Sequence, residues 1–114
     1  MTDLNELARK CKEISDARQK NGGVGNDPLK HCAGEVVEAV EAREYLNIIR
    51  RFDTVALSEK TTQEIAKADY AEELADVIIC PLIAAADDGI DIESAVLNKI
   101  KKNEARALGL GDKL

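Results

Sequence analysis

Apolar positions in the first third of this chain recur at helical spacing. Leu4, Leu7, Ala8, Cys11 and Ile14 fall on one stripe and predict an amphipathic helix over about residues 3–20. Asp3 stands at its N-cap position and Glu6 three residues on, where a capping box places an acid. The run from Asn21 through Gly22-Gly23-Val24-Gly25 to Asp27 breaks the pattern and reads as a loop. Pro28 suits a first helical turn, with Asp27 as N-cap. The helix it opens carries Leu29, Cys32, Ala33, Val36, Val37 and Val40 on one stripe and runs through Tyr45, Ile48 and Ile49 to about Arg51.

The stretch from Phe52 to Lys60 has no clear period. Thr61-Thr62-Gln63-Glu64 has capping-box form and predicts the start of a third helix, either continuous to Asp88 or broken near Asp69. Within it, Val77 to Ala86 are ten residues with no polar side chain, the mark of a buried helix. Pro81 removes one backbone donor there and predicts a kink. Gly89 suits a C′ position with Ile90 as its apolar partner, and Asp91 caps a fourth helix carrying Ile92, Ala95, Val96, Lys99 and Ile100 that ends near Gly109. There is no internal repeat and no linker.

Composition narrows the fold class to all-α. A chain of 114 residues is expected to form one domain, residues 1–114. Its only aromatics are Tyr45, Phe52 and Tyr70, so aliphatics and alanine must fill the core, which favours packed helices over a sandwich or barrel. So small a bundle leaves apolar surface over, which predicts a homodimer or a dimer of dimers. The net charge of −6 argues against nucleic acid as a partner. The longest apolar run is too short to cross a bilayer, which argues against a membrane partner, and no signal peptide is legible. Three cysteines without metal-type spacing read as reduced thiols, which places the chain in the cytoplasm.

Two carboxylate pairs carry the candidate chemistry. Glu35 and Glu38, and Glu73 and Asp76, are each spaced so that both side chains leave one face of a helix. Asp76 leads directly into the apolar run, at the mouth of a core, where an unpaired carboxylate is costly. Hard oxygen ligands there suit Mg²⁺ or Mn²⁺. With 22 Asp and Glu in the chain, solvated surface charge is the competing explanation. It bears most on Glu35 and Glu38, which lie opposite the Val36, Val37, Val40 stripe and beside Ala39, Ala42 and Tyr45.

The ordered set Gly34-Glu35-Val36-Val37-Glu38, Glu72-Glu73-Leu74-Ala75-Asp76-Val77-Ile78, Gly89-Ile90-Asp91 and Lys99 to Arg106 resembles the MazG-like nucleotide pyrophosphohydrolases. The resemblance implies a four-to-five-helix bundle of the all-α NTP pyrophosphatase type and a Mg²⁺-dependent enzyme. Such an enzyme cleaves a nucleoside triphosphate to the monophosphate and pyrophosphate and keeps the nucleotide pool clean. It assigns the metal to Glu35, Glu38, Glu73 and Asp76, and phosphate contacts to Lys99, Asn103 and Arg106 on one face of the last helix. One carboxylate must take the proton of the attacking water, and Glu38 is the candidate. A deoxyribonucleotide is the preferred substrate. The chain departs from the family at His31 and Cys32, where members often carry a further Glu, and at Ala107, where an aromatic is common.

Other features point less far. One histidine, His31, excludes a ferritin-like di-iron site, which needs two Glu-x-x-His motifs, and fits a structural role at a helix edge. Gly22 to Gly25 lacks the Lys and Ser/Thr of a phosphate loop. Cys80, inside the apolar run, reads as core. Two alternatives stay open: a helical dimer that binds partners without chemistry, and the related phosphoribosyl-ATP pyrophosphatase activity.

Overall fold

The computed structural model describes residues 3–20, 27–51 and 57–109. Four helices follow in order: α1 (Leu4–Lys20), α2 (Pro28–Arg51), α3 (Leu57–Asp87) and α4 (Ile92–Ala107). No strand occurs among the described residues, so the fold is all-α.

Local chemistry sets most of the helix ends. The Asp3 carboxylate accepts from the Glu6 amide at 2.8 Å and caps α1. The Asp27 carboxylate accepts from the Leu29 amide at 2.9 Å beside Pro28. α3 closes in a Schellman motif, with Gly89 at φ 66°, the Ile90 amide on the Ala85 carbonyl at 2.9 Å and the Gly89 amide on Ala86 at 3.4 Å. Asp91 then caps α4 through the Ser94 amide and hydroxyl, both at 3.0 Å. The third helix begins at Leu57, earlier than Thr61, so the Thr61–Glu64 sequence lies inside α3. It passes Asp69 without a break and accommodates Pro81 inside the helix. The residues from Asn21 to Asn26, the glycine-rich run among them, and those from Phe52 to Ala56 lie outside the described residues.

Helices α2 and α3 form an antiparallel pair, and α1 lies along α3. The seam between α2 and α3 alternates steps of three and four. On α2 it uses Cys32, Glu35, Ala39, Ala42, Leu46 and Ile49; on α3 it uses Gln63, Ala66, Tyr70, Glu73, Val77 and Cys80, all buried or half-buried. Leu46 is 2% exposed and Ala66 2%. The valine stripe on α2 is therefore not the inner face: Val36, Val37 and Val40 are 43%, 56% and 50% exposed. Nor is the apolar run of α3 buried all round, since Ile78 is 56% exposed while Cys80, Leu82 and Ala85 are covered. Alanines allow the close approach of α1, with Ala8 3% exposed. At its N-terminus α1 is tied to the start of α4 by Asn5, whose amide donates to Asp91 at 2.9 Å and accepts from the Glu93 amide at 3.3 Å.

The Cα radius of gyration is 18.3 Å, against about 13 Å for a compact chain of this length. The helices thus spread rather than close into a sealed bundle, and they leave apolar faces uncovered on α2, α3 and α4.

Candidate metal centre and cleft

The seam brings Glu35 of α2 opposite Glu73 of α3, with Asp76 one turn further along α3. Carboxylate oxygens of Glu35, Glu73 and Asp76 lie within 4.8 Å of one another. Glu35 and Glu73 are half-buried, whereas Asp76 is exposed at the cluster's edge. This reverses the expected order of burial: the acid that leads into the apolar run is the open one, and the seam positions hold the covered ones. Glu38 is exposed too, and its carboxyl lies near enough to raise the pKa of both Glu35 and Glu73. Three of the four sequence-predicted metal residues thus converge, and Glu38 stands beside them outside that 4.8 Å group.

The electrostatics of the cluster are unfavourable without a cation. Glu35 Oε2 and Glu73 Oε2 are buried and have no hydrogen-bond partner. Burial pushes the Glu35 carboxyl above the ordinary carboxylate range, and the charges of Glu38 and Asp76 push it further. Burial also raises Glu73, helped by the neighbouring Glu38 carboxyl and by the charges of Asp76 and Glu35. Among the described residues, the imidazole of His31 faces the cluster, with Nε2 2.9 Å from Glu35 Oε1, one helical turn away.

A cleft of about 720 Å³ runs from these acids between α1 and α3. Glu35, Asp76 and His31 stand at one part of its wall, Ile14, Ile79 and Ile83 form an apolar part, and Arg18 of α1 adds a cation. Lys12, bonded to Asp16 at 2.9 Å and to Asp87 at 3.0 Å, ties α1 to the end of α3 beside it. The buried Cys80 also lines the cleft. Its thiol is pushed up by burial and by the neighbouring Cys32, Glu35 and Asp76, which keeps it protonated and unreactive.

The phosphate residues expected on the last helix stand apart from this cluster. Lys99, Asn103 and Arg106 are exposed on α4, whose main packing partner is α1. Three residues that the sequence reading did not place at the site are there: Arg18, His31 and Cys32. His31 was legible from its spacing of four to Glu35. Cys32 was legible as a seam position three residues before Glu35, and Arg18 had no sequence signal.

No family model matches the chain, and neither a curated protein nor a solved structure matches it. No helix among the described residues is long and apolar enough to cross a membrane.

Proposed function

We propose that this chain is a Mg²⁺-dependent nucleoside triphosphate pyrophosphohydrolase, with Mn²⁺ as a competent substitute. The observation that carries the reading is the pair of buried, partnerless oxygens of Glu35 and Glu73 in a convergent carboxylate cluster. Charged groups taken from water and left unpaired are costly, and a hard divalent cation is the partner such a donor set fits. Glu35, Glu73 and Asp76 would hold it, with Glu38 at the exposed edge. When bound, the cation neutralises triphosphate charge and makes a coordinated water more acidic.

The chain's own residues supply the remaining tasks. Glu38, beside the cluster yet open to solvent, accepts the proton of the water that attacks the α phosphorus. Arg18, the cation in the cleft, holds the β and γ phosphates that leave as pyrophosphate. Ile14, Ile79 and Ile83 offer the base an apolar wall. A cleft of about 720 Å³ is large enough for a nucleotide, and a deoxyribonucleotide is the preferred substrate.

The reading includes association into a homodimer or a dimer of dimers, supported by the exposed apolar faces of α2, α3 and α4. Association alone is equally consistent with a helical dimer that only binds partners. Product analysis with Mg²⁺ separates the two: release of pyrophosphate and a nucleoside monophosphate from a panel of ribo- and deoxyribonucleoside triphosphates upholds the enzyme. Orthophosphate as product, or no turnover of any member of the panel, defeats it.

A further inference from the structure

Pro81 leaves a gap in α3 that a side chain from another helix fills. In an α-helix the Val77 carbonyl takes its hydrogen bond from the amide of residue 81, and residue 81 here is proline, which has none. The Cys32 thiol of α2 donates to that carbonyl, with Sγ 3.6 Å from Val77 O. Cys32 is half-buried on the seam and Cys80 is buried beside it, so little water is at hand to serve the carbonyl instead.

The position of this bond matters for the carboxylates. Val77 directly follows Asp76, and Cys32 lies one turn before Glu35 on the same seam. A single cross-helix bond thus ties the turn of α2 that presents Glu35 to the turn of α3 that presents Asp76. We propose that Cys32 is a positioning residue: its thiol stands in for the amide missing at Pro81 and sets the register in which Glu35 and Asp76 face one another. In this role Cys32 acts through the Val77 carbonyl and not as a ligand. Its role is the outer support that ligands need, the loss of which commonly weakens metal affinity by about 10–100-fold. The link to metal affinity rests on the function proposed above; the hydrogen bond itself does not.

The test is a double-mutant cycle on the full chain, with Cys32→Ala, Cys32→Ser, Pro81→Ala and the double variant Cys32→Ala/Pro81→Ala. Melting temperature is read in chelator, and Mg²⁺ and Mn²⁺ affinity by titration calorimetry. Cys32→Ala is expected to lower the melting temperature and to weaken divalent affinity by about ten-fold or more, while Cys32→Ser, which keeps a donor, restores most of both. Pro81→Ala returns an amide to the Val77 carbonyl, so Cys32→Ala in that background should cost much less. Equal losses for the alanine and serine variants of Cys32, or a Cys32→Ala effect left unchanged by Pro81→Ala, would show that Cys32 merely packs and overturn the proposal. If the unmodified chain binds neither cation, the proposed enzyme falls, and the melting-temperature cycle, which needs no metal, still upholds or overturns the Cys32 bond.

Discussion

Glu35 and Glu73 approach within 4.8 Å across the α2–α3 seam, each with one buried oxygen that no hydrogen bond satisfies. Two acids at positions where the rest of the seam uses mostly alanine, leucine, valine or cysteine oppose the packing of the very helices that carry them. That cost, at a point where the carboxylates of Glu35, Glu73 and Asp76 converge, is the ground on which the proposed cation site rests.

Replacing either acid by its neutral isostere should therefore stabilise the chelated protein while removing cation binding. For Glu73→Gln the expected result is a higher melting temperature in chelator and no further rise on adding Mg²⁺. The unmodified chain should rise with Mg²⁺, as a ligand at about 100 times its Kd contributes about 2.7 kcal/mol. A Glu73→Gln protein that melts lower in chelator, or that keeps the full Mg²⁺ response, would contradict the site.

The same acids fix the sign of a pH dependence. Glu35 and Glu73 both have folded-state pKa values raised above those of the unfolded chain. Their contribution to stability is fully present below the ordinary carboxylate pKa and is lost as pH rises through the raised folded values. In chelator, the melting temperature should climb as pH is lowered through the raised folded values towards the ordinary carboxylate pKa. Saturating Mg²⁺ should flatten or reverse that slope, because the cation favours the ionised forms. A flat profile in chelator would argue against strain in the cluster.

Asp91 works in the opposite direction. Its hydrogen bonds from Asn5 and Ser94 hold its carboxyl below the ordinary range, so its contribution is present above the ordinary aspartate pKa and is lost as pH falls through its lower folded value. It both caps α4 and anchors α1 through Asn5. Asp91→Ala should speed amide hydrogen exchange in the first turn of α4 and also at the N-terminus of α1. Faster exchange confined to α4 would mean that the Asn5 bridge contributes nothing.

The all-α class and most helix positions and caps were legible from the chain, because each rests on neighbours within about a turn; the start of α3, expected at Thr61 and found at Leu57, was not. α2 was expected from Pro28 to about Arg51 and has those bounds; the Gly89 turn and the Asp91 cap also fall where expected. The orientation of α2 was not legible in the same way. Its most apolar stripe, Val36, Val37 and Val40, is outside, and its inner face is the weaker series Cys32, Glu35, Ala39, Ala42, Leu46 and Ile49. Small residues and one acid dilute the hydrophobic signal of that face, although its steps of three and four were present to be read. The four carboxylates could be named from spacing, whereas their burial could not, because it depends on which face α3 covers. The cleft's Arg18 comes from α1, far from the acids in sequence, and only the packing of α1 on α3 brings it in.

The small residues on the seam carry a prediction of their own. Ala39 is 7% exposed and lies one turn after Glu35. Ala39→Leu should overpack the α2–α3 contact and cost about 1–3 kcal/mol in denaturant unfolding. By prising the helices apart it should also weaken Mg²⁺ affinity. Unchanged stability would mean that the helices approach less closely than Ala39 and Ala66 indicate.

The outward valine stripe bears on assembly. Leu29, Val36 and Val40 lie on one side of α2 and are 57%, 43% and 50% exposed. They form a continuous ridge with no cover from the chain's own described helices. Burying such a side chain contributes about 1.5–3 kcal/mol, and in a two-fold interface each position is used twice. Val36→Glu/Val40→Glu should therefore convert the protein to a monomer in light scattering at micromolar concentration, with a loss of affinity well beyond ten-fold, since about 1.4 kcal/mol is already a factor of ten. The inner seam is untouched by these changes, so the helical circular dichroism should persist in the monomer. Should the unmodified chain itself scatter as a monomer, or the double variant remain a dimer, this ridge is not the contact between copies.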